Sequence, residues 1–212
     1  MQDEKKGILA SIGAYFLWGL FPIYWKVIEH VSSEEILASR VIWSFVLTLI
    51  FVVLLKQRKV LVSDFKALWH NQRSFWLLFI AAYLVSINWF IYIWAVNHNH
   101  IVQTSLGYYM NPIISILLGI IFLKERLSKY QIVAFLFAII GVLILFVSYG
   151  QIPWVAIGLA LSFGIYGLLK KQIVLDATRG LVIETMFILP VALMYYIYLY
   201  FPGNKDKYNT LT

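Results

Sequence analysis

Cysteine is missing from all 212 residues, so neither a disulfide nor a thiolate-bound metal organises this chain. Charge is also scarce. Asp, Glu, Lys and Arg make up 13% of the residues, where a soluble domain carries about 25%. No polar stretch is long enough for a separate soluble catalytic domain; the longest are the connection 56–74 and the tail 202–212. Low-complexity sequence is absent too. Acidic residues are the scarcer sign, ten against 17 basic, for a net charge of +7.

What fills the chain is apolar: 62% of the residues are hydrophobic. Runs of about 18 or more mostly apolar residues mark membrane spans. Seven are found, at 7–25, 35–55, 75–96, 102–122, 130–148, 153–170 and 180–201. The fold class expected is all-α, a polytopic membrane bundle of seven transmembrane helices. The N-terminal MQDEKKG leads into an apolar run too long for a leader. Trp18, Pro22, Trp25 and Lys26 follow where a small-residue cleavage site would be needed, so the run reads as the first span.

The basic excess is distributed by side. With the N-terminus cytoplasmic, inner segments hold Lys5, Lys6, Lys56, Arg58, Lys59, Lys66 and Arg73. Further along they hold Lys124, Arg126, Lys129, Lys170, Lys171 and Arg179, and the three outer loops hold only Lys26. This is the positive-inside pattern. It predicts a multi-pass protein of the cytoplasmic membrane with its N-terminus inside. The lipid bilayer is then the first partner, and nucleic acid is excluded as one.

The stretch SLGYYMNPIISILLG, 105–119, raises a physical problem. Pro112 removes one helical hydrogen bond and its ring collides with the Tyr108 carbonyl, which has no water to turn to in hydrocarbon. Helical spacing suggests an answer: Thr104, Tyr108, Asn111 and Ser115 fall on one stripe. The broken bond and the polar side chains share a side, which is expected to face a wettable, protein-lined cavity. The first span repeats the pattern with Ser11, Tyr15, Trp18, Pro22 and Trp25. The third offers Asn88, Tyr92 and Asn99, with Ala95 between. The candidate substrate-binding residues are therefore Tyr15, Trp18, Asn88, Tyr92, Thr104, Tyr108, Asn111 and Ser115. The alternative is helix–helix hydrogen bonding with interfacial aromatics, which is the expectation for Trp25 and Asn99.

An internal repeat is also legible. Ala14-Tyr15-Phe16-Leu17-Trp18-Gly19-Leu20 runs in step with Ser162-Phe163-Gly164-Ile165-Tyr166-Gly167-Leu168, and Arg40 of the second span then aligns with Glu184 of the seventh. Equivalent spans lie five apart, an odd number, so the second copy crosses the membrane in the opposite sense. Inverted repeats of this kind characterise secondary transporters.

AYFLWGLFPIYWK (14–26), EILASRVIWSF (35–45), NWFIYIWAVN (88–97), SLGYYMNPIISILLGIIFLKERL (105–127) and IETMFILPVA (183–192) together resemble the drug/metabolite transporter superfamily. Within it they are similar to RarD-type permeases of the EamA group. The resemblance covers essentially the whole chain. It implies ten helices in two inverted five-helix bundles. Residues 1–150 would be the first bundle, and 151–212 the opening helices of the second, without helices eight to ten. Ser39 departs from the histidine that the resemblance would place before Arg40, so no role of that histidine carries over.

Arg40 and Glu184 lie a turn or two inside opposite boundaries, too far apart to pair, and snorkelling of both is the plain alternative. An ionisable group at mid-membrane costs about 2.5–3.5 kcal/mol even on insertion scales. With Pro112 they are expected to serve gating or coupling, Glu184 as a proton-coupling carboxylate. Ala134, Ala138, Gly141 and Ala160, Gly164, Gly167 form small-residue stripes expected to pack closely. Ser128-Lys129-Tyr130-Gln131 has the form of a helix-starting capping box. Asn97-His98-Asn99-His100 reads as an outer polar turn, with no acidic or thiol partner for a metal.

The expected function is secondary transport of small amphipathic metabolites or drugs by alternating access, incomplete in this chain. Coupling to a proton or ion, and a homodimer through exposed bundle faces, complete the expected partners. No cofactor and no metal are expected. The alternatives are a seven-helix receptor, or a structural subunit needing a second chain. A retinal protein is opposed by the cytoplasmic N-terminus and the lack of lysine in 180–201. An enzyme would need a nucleophile or metal cluster, and neither is found.

Overall fold

The computed structural model describes residues 2–28 and 30–200; the polar tail 202–212 lies outside them. Eight helices and no strand occur among the described residues. They are α1 (Gln2–Val27), α2 (Ser33–Leu54), α3 (Arg58–His70), α4 (Gln72–Asn97), α5 (Ile101–Leu123), α6 (Lys129–Tyr149), α7 (Trp154–Lys170) and α8 (Ala177–Tyr200). The seven expected spans are α1, α2 and α4 to α8. Five of them (α2, α4, α5, α6, α8) are long and apolar enough to cross a membrane. The apolar stretches of α1 and α7, Gly7–Phe21 and Trp154–Lys170, are shorter. This is a multi-pass helical membrane protein.

Helix α3 corrects the reading of 56–74 as a plain polar connection. Leu61, Phe65 and Leu68 recur at helical spacing and pack against Leu78 and Ile183. That apolar stripe holds the helix against the ends of α4 and α8, while Lys59 and Lys66 stay exposed. Local chemistry sets other boundaries. Ser32 caps α2 by accepting from the Glu35 N–H, with Glu34 and Glu35 in the first turn facing the helix dipole. The expected capping box at Ser128 and Gln131 is formed in both directions. Helix α6 ends at Gly150, whose φ of 72° suits a residue without Cβ.

Directions follow from the contacts. Ser32 meets Tyr195 and Gln57 meets Arg179, so α2 and α8 run antiparallel. Gln103 meets Val155 and Glu125 meets Lys171, so α5 and α7 run parallel. Asn88 of α4 bonds Leu159 and Ser162 of α7. Helix α7 thus sits against both α4 and α5. The segments 56–74, 124–128 and 170–179 gather at one end, joined by Arg179–Asp64 (2.6 Å), Lys171–Glu125 and Arg73–Gln172 (3.3 Å). Most of the basic residues beyond the first span are in this basic end. At the other end Lys26 donates to Asn99 (3.1 Å) and Asn97 lies beside Val31.

The α5–α7 contact is close because glycine allows it. A Cβ on Gly107 would lie 3.1–3.2 Å from Leu159 and Ala156, and one on Gly164 would lie 2.7 Å from the Ile114 methyl. The stripe expected to pack on α7 therefore packs through Ala160 and Gly164, but Gly167 meets nothing within 4 Å. On α6 the expectation fails: Ala134, Ala138 and Gly141 are all exposed, and no described residue of that helix is buried. Among the described residues helix α6 leans mainly on α5, and it presents Phe137, Ile140, Leu143 and Ile144 outward, a surface suited to lipid. Gly164→Leu is accordingly expected to destabilise the protein by about 1–3 kcal/mol through overpacking. Gly141→Leu should leave thermal unfolding in the same detergent unchanged.

Candidate functional site

Pro112 does not end α5, which continues for three turns beyond it. The side chain of its neighbour Asn111 makes no hydrogen bond among the described residues, and its Oδ1 is buried without a partner. Around it the expected stripe divides. Thr104 is 3% exposed and returns its hydroxyl to the Ile101 carbonyl at 2.7 Å, so it serves the helix itself. Tyr108 is half exposed and meets Tyr92 of α4 edge to face, 5.7 Å between ring centres. Ser115 opens instead into a crevice of about 200 Å³ between α5 and α7, beside Gly119, Gly164 and Lys171.

The third-span candidates differ as well. Asn88 is buried, and its amide donates to the Leu159 carbonyl and the Ser162 hydroxyl, both at 2.9 Å. That is the helix–helix hydrogen bonding named above as the alternative. Tyr92 is 3% exposed and touches both Trp89 and Tyr108. On α1, Trp18 is exposed, and the helix meets α4 through Phe21 and Trp89. The side chains of Tyr15, Pro22 and Trp25 lie outside the described residues. The structure therefore brings Tyr92 against Tyr108, with Asn111 about one turn further along α5, and leaves Trp18, Asn88, Thr104 and Ser115 out of that contact.

Arg40 joins the first group. Its guanidinium carbon lies 3.0 Å above the centre of the Trp89 ring, a cation–π contact. Tyr108 is within electrostatic range. Among the described residues the guanidinium makes no hydrogen bond or ion pair, and its Nη1 is buried without a partner. Reading by stripes missed Trp89, which is one position off the Asn88–Tyr92 line. The signal available was Arg40 itself, since a cation at that depth calls for an aromatic face or an anion on the next helix.

Glu184 lies apart. Ser39 bonds Tyr196, twelve residues beyond Glu184 on α8, or about 18 Å along the helix. The carboxylate is 4% exposed, paired with Lys170 of α7, and accepts from the Tyr166 hydroxyl at 3.3 Å. Sequence reading had counted Lys170 as a topological anchor only. Its place at the last turn of α7, with α8 returning beside it, was the clue to a buried pair.

These placements make a graded prediction. Single cysteines at Tyr108 and Ser115 are expected to react with a small water-soluble thiol reagent, whereas cysteines at Thr104 and Ile113 stay protected. Leu117 is outward, so a cysteine there should be shielded by lipid. Equal labelling at all five positions would contradict a wettable face.

Residues 5–147 match the EamA-like transporter family. An uncharacterized transporter of Vibrio cholerae is 50% identical over 198 residues, 93% of this chain and 64% of that protein. The uncharacterized transporter YojE of Bacillus subtilis is 47% identical over 196 residues, 92% of this chain and 65% of its own length. Protein RarD of Escherichia coli is 42% identical over 194 residues, 92% and 64%. The chain spans just under two thirds of the length of these relatives. No solved structure matches it.

Proposed function

Because the chain belongs to the EamA-like transporter family, we propose that it forms part of a secondary transporter. It moves small amphipathic metabolites or drugs across the cytoplasmic membrane by alternating access. Residues 1–150 form the first five-helix bundle of the repeat, and residues 151–212 open the inverted second. The observation that carries this reading is the seam between α2 and α8. These two helices are equivalent under the repeat, and they pack antiparallel on each other through Ala38, Val41, Ile188 and Ala192. A pair of equivalent helices on a two-fold axis does this.

The repeat also accounts for the neighbours. Helix α7 is the second copy's α1, and it sits against α4 and α5, the third and fourth spans of the first copy. By symmetry α1 docks on the eighth and ninth spans, which explains why Phe16, Leu17, Trp18 and Ile23 are exposed here. The bodies that rock are then interlaced: α4, α5 and α7 on one side, α1 with the eighth and ninth spans on the other. The site between them is lined by Tyr92, Tyr108, Asn111 and Trp18, with Pro112 and Arg40 at its bend and wall. Glu184, tied to Lys170, is the coupling candidate. The ion pairs of the basic end tie α7 to α5 and α8 to α3, so they brace parts that move together.

Counterflow in liposomes tests the function, using these residues continued through three further spans to the length of the relatives. Saturable exchange of small aromatic amphiphiles is expected, reduced about tenfold or more by Tyr108→Ala; no exchange for any compound class contradicts the reading. Orientation is tested separately, and the absence of cysteine makes the labelling clean. In intact cells, His98→Cys should react with a membrane-impermeant maleimide and Arg126→Cys only after permeabilisation. The reverse pattern would invert the assignment.

A further inference from the structure

We propose that Arg40 is an anion-binding residue, and that the substrates of this site are organic monocarboxylates with an aromatic or apolar body. The inference rests on the transporter reading of the same cavity and goes beyond it in naming the group recognised.

Four observations carry it. First, Trp89 covers one face of the guanidinium at 3.0 Å. A stacked ring holds the plane of the fork but uses none of its N–H groups, which point outward from the edges. Second, no protein acceptor takes them up. Nη1 is buried and unpartnered, and the side chain has no hydrogen bond among the described residues. Third, no carboxylate among the described residues pairs with Arg40. Glu184 is held by Lys170, Glu125 by Lys171, and Asp64 and Asp176 by Arg179. Glu34 and Glu35, six and five residues before Arg40 in the first turn of α2, make no ion pair with it among the described residues. Fourth, Tyr108 is half exposed within electrostatic range of the fork, and its ring meets Tyr92, which packs on Trp89. They offer an aromatic wall to whatever the guanidinium holds.

The pairing chemistry is specific. A carboxylate presents two oxygens at the spacing of two guanidinium N–H groups, so it accepts two parallel bonds. Arg40 is the one cation the described residues bring to this aromatic cluster, and a single guanidinium suits a monoanion better than a phosphate dianion. A structural arginine would instead spend its N–H groups on carbonyls or a carboxylate of the fold.

The test uses these residues continued through three further spans to the length of the relatives, in lipid nanodiscs with empty nanodiscs as reference, and two probes that differ in the head group alone: 3-phenylpropionate and 3-phenylpropan-1-ol. Binding is read by calorimetry at neutral pH. The carboxylate should bind about tenfold or more tighter than the alcohol, the ratio of a charge-assisted hydrogen bond to none. Arg40→Gln should bring the carboxylate down to the alcohol's affinity and leave the alcohol within about twofold, which also shows that the variant is folded. Arg40→Lys, keeping charge without the fork, should retain an intermediate preference, and it serves alone if the glutamine variant does not fold. Equal binding of both probes by the unaltered chain, or an intact preference in Arg40→Gln, overturns the anion proposal alone. A full preference retained in Arg40→Lys shows that the fork is not what selects, and overturns it too. Binding of neither probe overturns the cavity reading on which it rests.

Discussion

Replacing Lys170 with methionine is expected to destabilise the protein by about 3–5 kcal/mol, because it leaves the Glu184 carboxylate buried without its cation. The reverse substitution should be milder. In Glu184→Leu the lysine remains, a quarter exposed at the last turn of α7, and its flexible stem can carry the ammonium to water. The double variant should recover most of the loss, since two apolar side chains of similar volume replace a buried pair without an orphan. Tyr166→Phe removes only the 3.3 Å hydrogen bond to Glu184, an effect of about 1 kcal/mol. Thermal unfolding of the four variants in one detergent measures the order. Equal losses from both single substitutions, with no recovery in the double, would mean the pair is not coupled.

The second large effect concerns transport. Liposomes carrying residues 1–212 are expected to show less than about a tenth of the counterflow given by the same residues continued to ten spans. The reason is geometric. The wall formed by α4 and α5 has Tyr108 half exposed, and among the described residues no helix packs over α1 as extensively as α7 packs over α4 and α5. A polar group facing hydrocarbon without a partner costs several kcal/mol, so this face needs protein or water against it. Equal flux from the two lengths, with the shorter shown to be monomeric, would remove the inverted-repeat mechanism.

Particular residues show what could be read in advance. The spans were legible because apolar length is a one-dimensional property, and so was the cap at Ser128, whose partner Gln131 is three residues away. Helix α3 was not. Its stripe of Leu61, Phe65 and Leu68 sits among Lys59, Asp64 and Lys66, and only the faces of α4 and α8 make it worth burying. Helical phase placed Thr104, Tyr108, Asn111 and Ser115 on one side but could not tell which neighbour each would meet. Thr104 turned back on its own helix, Tyr108 met Tyr92, and Ser115 met α7. The small residues of α6 had the same spacing as those of α7 and opposite fates, since a small-residue stripe packs only where another helix arrives. Arg40 over Trp89, and Glu184 against Lys170, depend on side chains far apart in sequence. The sequence marks one member of each pair as costly and leaves the other to the fold.

The central claim is that two interlaced bodies rock about the α2–α8 seam, and label distances across both ends of the ten-span protein test it most directly. One pair of spin-labelled cysteines, Gly7→Cys with Arg126→Cys, spans the basic end; the other, Val27→Cys with Ile101→Cys, spans the opposite end. On adding a compound that gives counterflow, the two distance distributions should shift in opposite directions, one end opening as the other closes. Distances that stay fixed at both ends, or move in the same sense, would contradict alternating access in this fold.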